Sequence, residues 1–568
     1  MQCCPRPPTV LTWLLIVGVG CAIFYLCLPV AFVEEVRKET IHQLKQGDDL
    51  NAAILKAVPG DELVLEAGAE FSGPVILRNK TQVITEGQSP WITIRTSKLA
   101  DLPAARQRVS PQDAVHMPKI YTDESYPAVT SEFGAHHYRF VGIEISSKAE
   151  KSYDLVRLGY DKTNGRKQAT SVENLPFKIV FERCYIHGNK TGELRTGITM
   201  NTREFAISDS YISEIHENGA DSQALLGFNG TGPYQIVNNF IEGSGENVLF
   251  GGADPKIDQL VPADILIERN HFFKPLHWKK GHPDYQQWTV KNLLEFKSAR
   301  RAMVRGNIFE NCWPAGQTGK AILFTARNQN GGAPWTVVED ITFENNVLRN
   351  INGFLQMGSG GKAGHPTLPL KNIIIRNNLM LNVAENNAKG IRSFFELDGN
   401  AARAATENVT IVHNVGLFVP GHGKSLMILG SSGTVIDGLI FEKNIFSCGR
   451  YGVPGVGTKP GNISLHKYLR HWTFRDNILV GHVKPENYPP ENVIVPNVTD
   501  VGFVDPTKGD FRLSNPSRHK LGGADETPPG VNLELLNAWT EGVVEGRMPE
   551  KSEEIKNNEG TTYQHRGI

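Results

Sequence analysis

The stretch AMVRGNIFEN, residues 302–311, decides how this chain folds. An alternating apolar segment runs into an asparagine, Asn307, and a second short apolar segment follows it. The same pattern recurs in YQIVNNFIEG (Asn239), ILIERNHFFK (Asn270), ITFENNVLRN (Asn346) and IIIRNNLMLN (Asn378). It continues in VTIVHNVGLF (Asn414), LIFEKNIFSC (Asn444) and WTFRDNILVG (Asn477). Successive asparagines lie 31, 37, 39, 32, 36, 30 and 33 residues apart, the spacing of a repeat architecture. Two earlier turns, IVFERCYIHG and FAISDSYISE, put Cys184 and Ser210 at the same point.

Most repeats carry a third β segment: NVLFGG, KNLLEFKS, KAILFTAR, GFLQMG, SFFELDG and SLMILG. Three short strands per repeat, with no helical periodicity between them, predict an all-β, right-handed parallel β-helix. A β-propeller repeats at a similar length but needs four strands in each blade. At a sharp bend an asparagine tolerates φ > 0, and its amide can bond the equivalent asparagine one coil above and below. The aligned residues therefore predict an asparagine ladder.

The ends fit a solenoid spanning about residues 45–530. NAAILKAVPGDELVLEAGAEF (51–71) reads as a short amphipathic helix and first strand that cover the first coil. Residues 501–530 read as a closing segment. The charged stretch 545–568 has almost no apolar residues and is expected to be a disordered tail.

Ahead of the solenoid, residues 1–34 form a separate segment. From Val10 to Val33 no charge occurs, a run long enough for a membrane-spanning helix and long for a cleaved signal peptide. Arg6 precedes it and Glu34 and Glu35 follow, which orients everything after residue 34 to the exported side. The expectation is a signal-anchor with an extracytoplasmic β-helix, or a secreted protein if the segment is cleaved.

Of seven cysteines, only Cys184, Cys312 and Cys448 lie in the body of the chain, an odd and widely spaced trio that predicts buried free thiols. A net charge of −1 argues against a nucleic-acid partner. No common nucleotide or zinc motif occurs. Sequons stand at Asn79, Asn189, Asn229, Asn408, Asn462 and Asn497 and matter only in a eukaryotic source.

The opening PGDELVLEAGAEFSGPV, the asparagine repeats and the ending GDFRLSNPS together resemble the pectate-lyase-like parallel β-helix superfamily. That resemblance implies a fold, which hosts lyases, hydrolases, epimerases and adhesins.

A packed solenoid interior leaves function to an outer face or to loops. Alternation in LLEFKSA puts Leu294 and Phe296 inward, Glu295 and Lys297 outward. Arg327 follows one coil later, then Gln356, then Glu396 and Asp398; Glu246, Asn247 and Asp254 lie one coil earlier. Residues 293–327 also resemble the chondroitinase B and alginate lyase group, in Lys297-Ser298, Gly306-Asn307 and Arg327. The resemblance implies Lys297 as base and Arg327 as acid or carboxylate partner in β-elimination on an acidic, uronate-containing polysaccharide. A neighbouring Arg327 would lower the lysine pKa.

That group also holds calcium through acidic residues five and seven positions before the lysine. Here those positions are Asn292 and Val290, so the implied calcium site is not matched. Further glycan-binding candidates are Asn229, within the segment 216–233 that also holds His216, Asp221 and Gln223, and Trp288. Trp288 ends an aromatic and basic insertion, 271–288, whose histidines match no standard zinc spacing. A glycoside hydrolase using Glu396 with Asp398 or Glu246 with Asp254, and a non-catalytic glycan-binding adhesin, are the competing readings.

Overall fold

The computed structural model describes residues 40–81, 89–161, 167–359, 365–384, 390–398, 406–430, 435–515 and 527–549. The apolar segment Val10–Val33 and residues 550–568 lie outside them. Among the described residues no helix is long and apolar enough to cross a membrane.

Three parallel sheets run the length of the solenoid, with 15, 14 and 11 strands. Each coil contributes one strand to each sheet in turn. Ala299–Arg305 (first sheet), Ile308–Cys312 (second) and Lys320–Ala326 (third) make one such coil around Asn307. Strands pair in parallel with the next coil in strict register, for example Ala302 with Ile341 and Val304 with Phe343. This is the topology of a right-handed parallel β-helix.

Register is held because every second side chain enters one continuous core. Val304, Phe343, Ile375, Ile411 and Phe441 stack through five coils as fully buried neighbours. Aromatic rings stack between coils too: Phe296 on Phe324 at 5.3 Å, Phe441 on Phe474 at 4.8 Å. Cys184, Cys312 and Cys448 are buried and free, and burial raises each thiol pKa to about 12.

The asparagine ladder runs from Asn239 through every predicted member to Asn477 and one step further, to Asn492. At Asn307 the backbone N–H and Nδ2 both donate to Asn346 Oδ1, at 2.9 and 3.0 Å. The Asn307 Oδ1 in turn accepts from the backbone N–H and Nδ2 of Asn270. Ser210 joins the ladder through its N–H to Asn239, and Cys184 through its N–H to Ser210.

One detail reverses the sequence expectation. The left-handed residue is the one before the ladder asparagine: Asn238, Arg269, Gly306, Asn345, Asn377, His413, Lys443 and Asp476 have φ of 53–65°. The ladder asparagine keeps ordinary geometry and contributes its amide. Bend and ladder are thus adjacent residues with separate work.

The N-terminal helix Leu50–Lys56 is capped by Asp49, which accepts from Ala52 N, and sinks Leu50 and Ile54 into the first coil's core. Lys80 Nζ donates to the Ile54 and Leu55 carbonyls at its other end. At the far end, Phe503 and Phe511 pack with Val415, Ile445, Ile478 and Leu536 in a cluster separate from the core. The closing segment therefore covers a flank of the second sheet.

From there the chain runs back along the solenoid. Gly530 N donates to Lys443 O, Asn532 bonds both ways with Asn377, and the helix Leu533–Thr540 brings Trp539 under the Arg305 guanidinium at 4.4 Å. Fully buried Arg269 donates to the carbonyls of Trp539, Glu541 and Arg547. Residues 545–549, read from sequence as part of a disordered tail, are docked here. Gly546 O accepts from Arg108 N at 2.8 Å and from Asn238 at 3.2 Å, and Met548 N donates to Arg106 O.

A buried acid and lysine cluster on the third sheet

The third-sheet strand Leu294–Phe296 places Leu294 and Phe296 in the core and Glu295 on the outer side. Outward does not mean solvated. The Glu295 side chain is 2% exposed and that of Lys297 12%, with Lys297 Nζ 3.3 Å from Glu295 Oε1. Asn292 Nδ2 donates to Glu295 Oε2 at 3.0 Å and to Gln317 Oε1 at 3.1 Å, and Thr325 reaches Glu295 Oε1 at 3.5 Å from the next coil.

Glu246, fully buried one coil earlier, accepts from Gln223 Nε2 at 2.8 Å. Lys291 pairs with Asp221 and stands 3.8 Å from the other oxygen of Glu246. Three carboxylates and two ammonium groups thus meet at one corner of the coil.

These contacts set the protonation states. Burial holds the Glu246 pKa well above the carboxylate range, the charges of Glu295 and Asp221 add to it, and Lys297 and Lys291 oppose it. Burial by itself would lower the pKa of Lys297. The carboxylates of Glu295, Glu246 and Asp221 outweigh it, and the pKa is raised. The expected lowering by Arg327 does not occur. Arg327 N donates to Lys297 O at 2.9 Å, so the two residues adjoin across one coil step. The Arg327 side chain is exposed and makes no ion pair among the described residues.

The other candidates separate by position. Glu295, Leu323, Gln356 and Glu396 occupy one column on successive coils. At about 4.8 Å per step, Gln356 stands ~10 Å and Glu396 ~14 Å from Glu295. Glu396 is buried with a raised pKa, through burial first and then the neighbouring Asp398. This pair lies beyond one sugar ring of Lys297.

Three candidates are spent on the fold. Asn229 accepts from Lys256 N and Ile257 N and donates to Ala169 O, fully buried. Asn247 donates to the Ile241 and Phe273 carbonyls and accepts from Lys274 Nζ. Asp254, proposed from sequence as the hydrolase partner of Glu246, accepts from the N–H groups of Gln329, Asn330 and Gly332. It pins the loop after Arg327. Asn189 is likewise committed, donating to the Ala149 carbonyl at 3.0 Å.

Trp288 stacks on His216 at 3.9 Å and packs against a small apolar cluster of Trp278, Val290 and Trp313. It also lines a groove of about 880 Å³ together with Tyr185, His187 and Lys190.

Two contributors escape the sequence. Lys291 sits in the corner, outside the strand alternation, and Asp221 is 70 residues away, so nothing local marks the pair. Lys274 is fully buried and donates to the carbonyls of Gly243, Ser244 and Gly245, clamping the turn that delivers Glu246. Its burial lowers its pKa to about 8. The only signal was a lysine at the inner end of an otherwise apolar repeat.

The calcium implied by resemblance fits poorly. Val290 is fully buried and offers no ligand atom, and both Glu295 oxygens are engaged, Oε2 by Asn292 Nδ2 and Oε1 by Lys297 Nζ. Among the described residues no group of three or more His, Cys, Asp or Glu side chains is arranged to hold a metal ion.

No family model and no curated protein matches the sequence. Solved structures do. The PL6-family alginate lyase AlyGC aligns over 87% of this chain with TM-score 0.51 and 14% identity, and the chain spans 58% of that protein's length. A mannuronic-acid-specific polysaccharide family 6 lyase from human gut microbiota aligns with TM-score 0.40 and 10% identity, over 81% of this chain and 92% of its own. Pectate lyase Pel9A gives 0.32 and 13%, over 66% and 82%. At these identities the likeness shows the fold alone, a right-handed parallel β-helix.

Proposed function

We propose that this protein is an exported, membrane-anchored polysaccharide lyase that cleaves a uronate-containing polysaccharide by β-elimination at Lys297 and Arg327. The observation that carries the reading is their juxtaposition. An exposed guanidinium that makes no ion pair among the described residues stands one coil step from a lysine seated among buried carboxylates. Export and anchoring rest on the apolar run Val10–Val33.

In this reading Arg327 pairs with the uronate carboxylate and neutralises the charge that develops as the α proton leaves. The Lys297 amine takes that proton. The electron pair forms the new carbon–carbon double bond as the glycosidic C–O bond breaks, and the departing oxygen is protonated from solvent. Lys297 must shed the proton that Glu295 helps it keep, so the reaction favours high pH.

One observation favours a second reading, a non-catalytic glycan binder. A lysine with a raised pKa is a good fixed cation for a uronate carboxylate. Ultraviolet absorbance during incubation with alginate, chondroitin and pectin separates the two, because elimination alone creates an unsaturated uronate. Lys297→Ala is expected to lower the absorbance rate by about 10²–10⁴-fold. An unchanged rate removes Lys297 from the mechanism, and binding without absorbance selects the binder.

A further inference from the structure

Lyases resembled by residues 293–327 balance their buried carboxylates with calcium. The corner around Glu246 and Glu295 balances them differently. Lys291 Nζ stands between Asp221 and Glu246, 3.8 Å from Glu246 Oε1, and Lys297 Nζ lies 3.3 Å from Glu295. Three carboxylates face these two ammonium groups, and the buried Lys274 ammonium behind the Glu246 turn adds a third cation, so little or no negative charge is left to balance. A divalent ion would turn that into a net positive charge in a largely water-excluded pocket, a costly exchange.

Oxygen supply points the same way. Both Glu295 oxygens and one Glu246 oxygen already accept from protein donors. In this corner the buried Glu246 Oε1 and Asn292 Oδ1 accept no hydrogen bond among the described residues, and two such oxygens fall far short of a calcium shell. Calcium takes six to eight oxygens. The neighbouring position that could add a carboxylate is Val290, sealed against Trp278 and Trp313.

We propose that Lys291 does here the charge-balancing work of the resembled lyases' calcium, holding Asp221 and Glu246 in place so that the site operates without a divalent cation. Lys291 is a positioning residue, and the inference deepens the lyase reading on which it rests. Its chemistry is that of a tethered cation, present whether or not substrate is bound.

The test uses metal binding and melting of the full-length chain, so it stands apart from turnover. Wild-type protein is expected to melt at the same temperature in EDTA and in millimolar calcium chloride, and to give no calcium heat in calorimetry. Lys291→Met removes the ammonium between Asp221 and Glu246 and is expected to become calcium-responsive, its melting temperature rising by about 5 °C with the ion. Lys291→Arg keeps the charge and stays indifferent. A wild-type protein that loses stability in EDTA and regains it with calcium overturns the proposal. So does a Lys291→Met protein that melts like wild type and ignores the ion. If Lys291→Met fails to fold, the wild-type and Lys291→Arg measurements still decide it.

Discussion

At the scale of single residues, burial decides role. Glu295 and Lys297 were legible as outward-facing from period-two alternation, yet the pair is enclosed and its lysine is held charged. The sign follows. A base whose pKa is raised above the ordinary lysine value is mostly protonated at neutral pH, so kcat/KM should climb about tenfold per pH unit through the alkaline range. Glu295→Gln removes the supporting carboxylate that Lys297 touches and should move that rise to lower pH, measured as the pH profile of unsaturated-uronate formation. Asn307 illustrates the opposite case, a residue whose work is structural throughout. Asn307→Ala strips partners from Asn270 and Asn346 inside the core and should cost about 2–4 kcal/mol in urea unfolding.

At the scale of elements, charged side chains stitch neighbouring coils along each sheet. On the second sheet His271, Glu310 and Arg349 occupy successive coils, with Glu310 Oε2 3.0 Å from His271 and 2.7 Å from Arg349. Burial alone would raise the Glu310 pKa, but the bonds from His271 and Arg349 bring it down to about 2. His271 is lowered by its own burial, so at neutral pH its ring is uncharged and Arg349 supplies the charge. A depressed carboxylate pKa stabilises the fold above the unfolded value of about 4.3, and that stability is lost as pH falls toward 2. Glu310→Gln should therefore flatten the dependence of the urea midpoint on pH across this window while lowering it at neutral pH. The loop after Arg327 obeys similar logic. Asp254→Ala releases three N–H groups and should speed amide hydrogen exchange at Gln329, Asn330 and Gly332, with the melting temperature little changed.

At the scale of the whole molecule, a solenoid is stabilised by contacts between neighbours, and the C-terminal strap adds a longer connection. It follows the left-handed corner column, touching Lys443, Asn377, Gly306, Arg269 and Asn238 in turn. Gly306 shows why the column accommodates it: a Cβ there would meet the Trp539 carbonyl at 3.0 Å. A chain ending at Gly530 leaves the buried Arg269 without those carbonyls. It should melt several degrees lower and over a broader range, as the coils from Asn238 to Lys443 lose their common fastening; calorimetry would register both changes.

The sequence by itself determined the repeat, the three sheets, the ladder and the outward set on the third sheet. These depend on alternation within a strand and on contact with the next coil, so a local pattern suffices. Tertiary structure alone decided how the corners meet. Insertions of unequal length, such as the one between Asn270 and Asn307, hide which residues converge. Lys291 therefore found Asp221, Asp254 found the loop after Arg327, and Arg269 found the strap only once the coils were stacked. Burial then set the charges, because a carboxylate's pKa depends on the water and counter-charges around it, and neither is written in its neighbours along the chain.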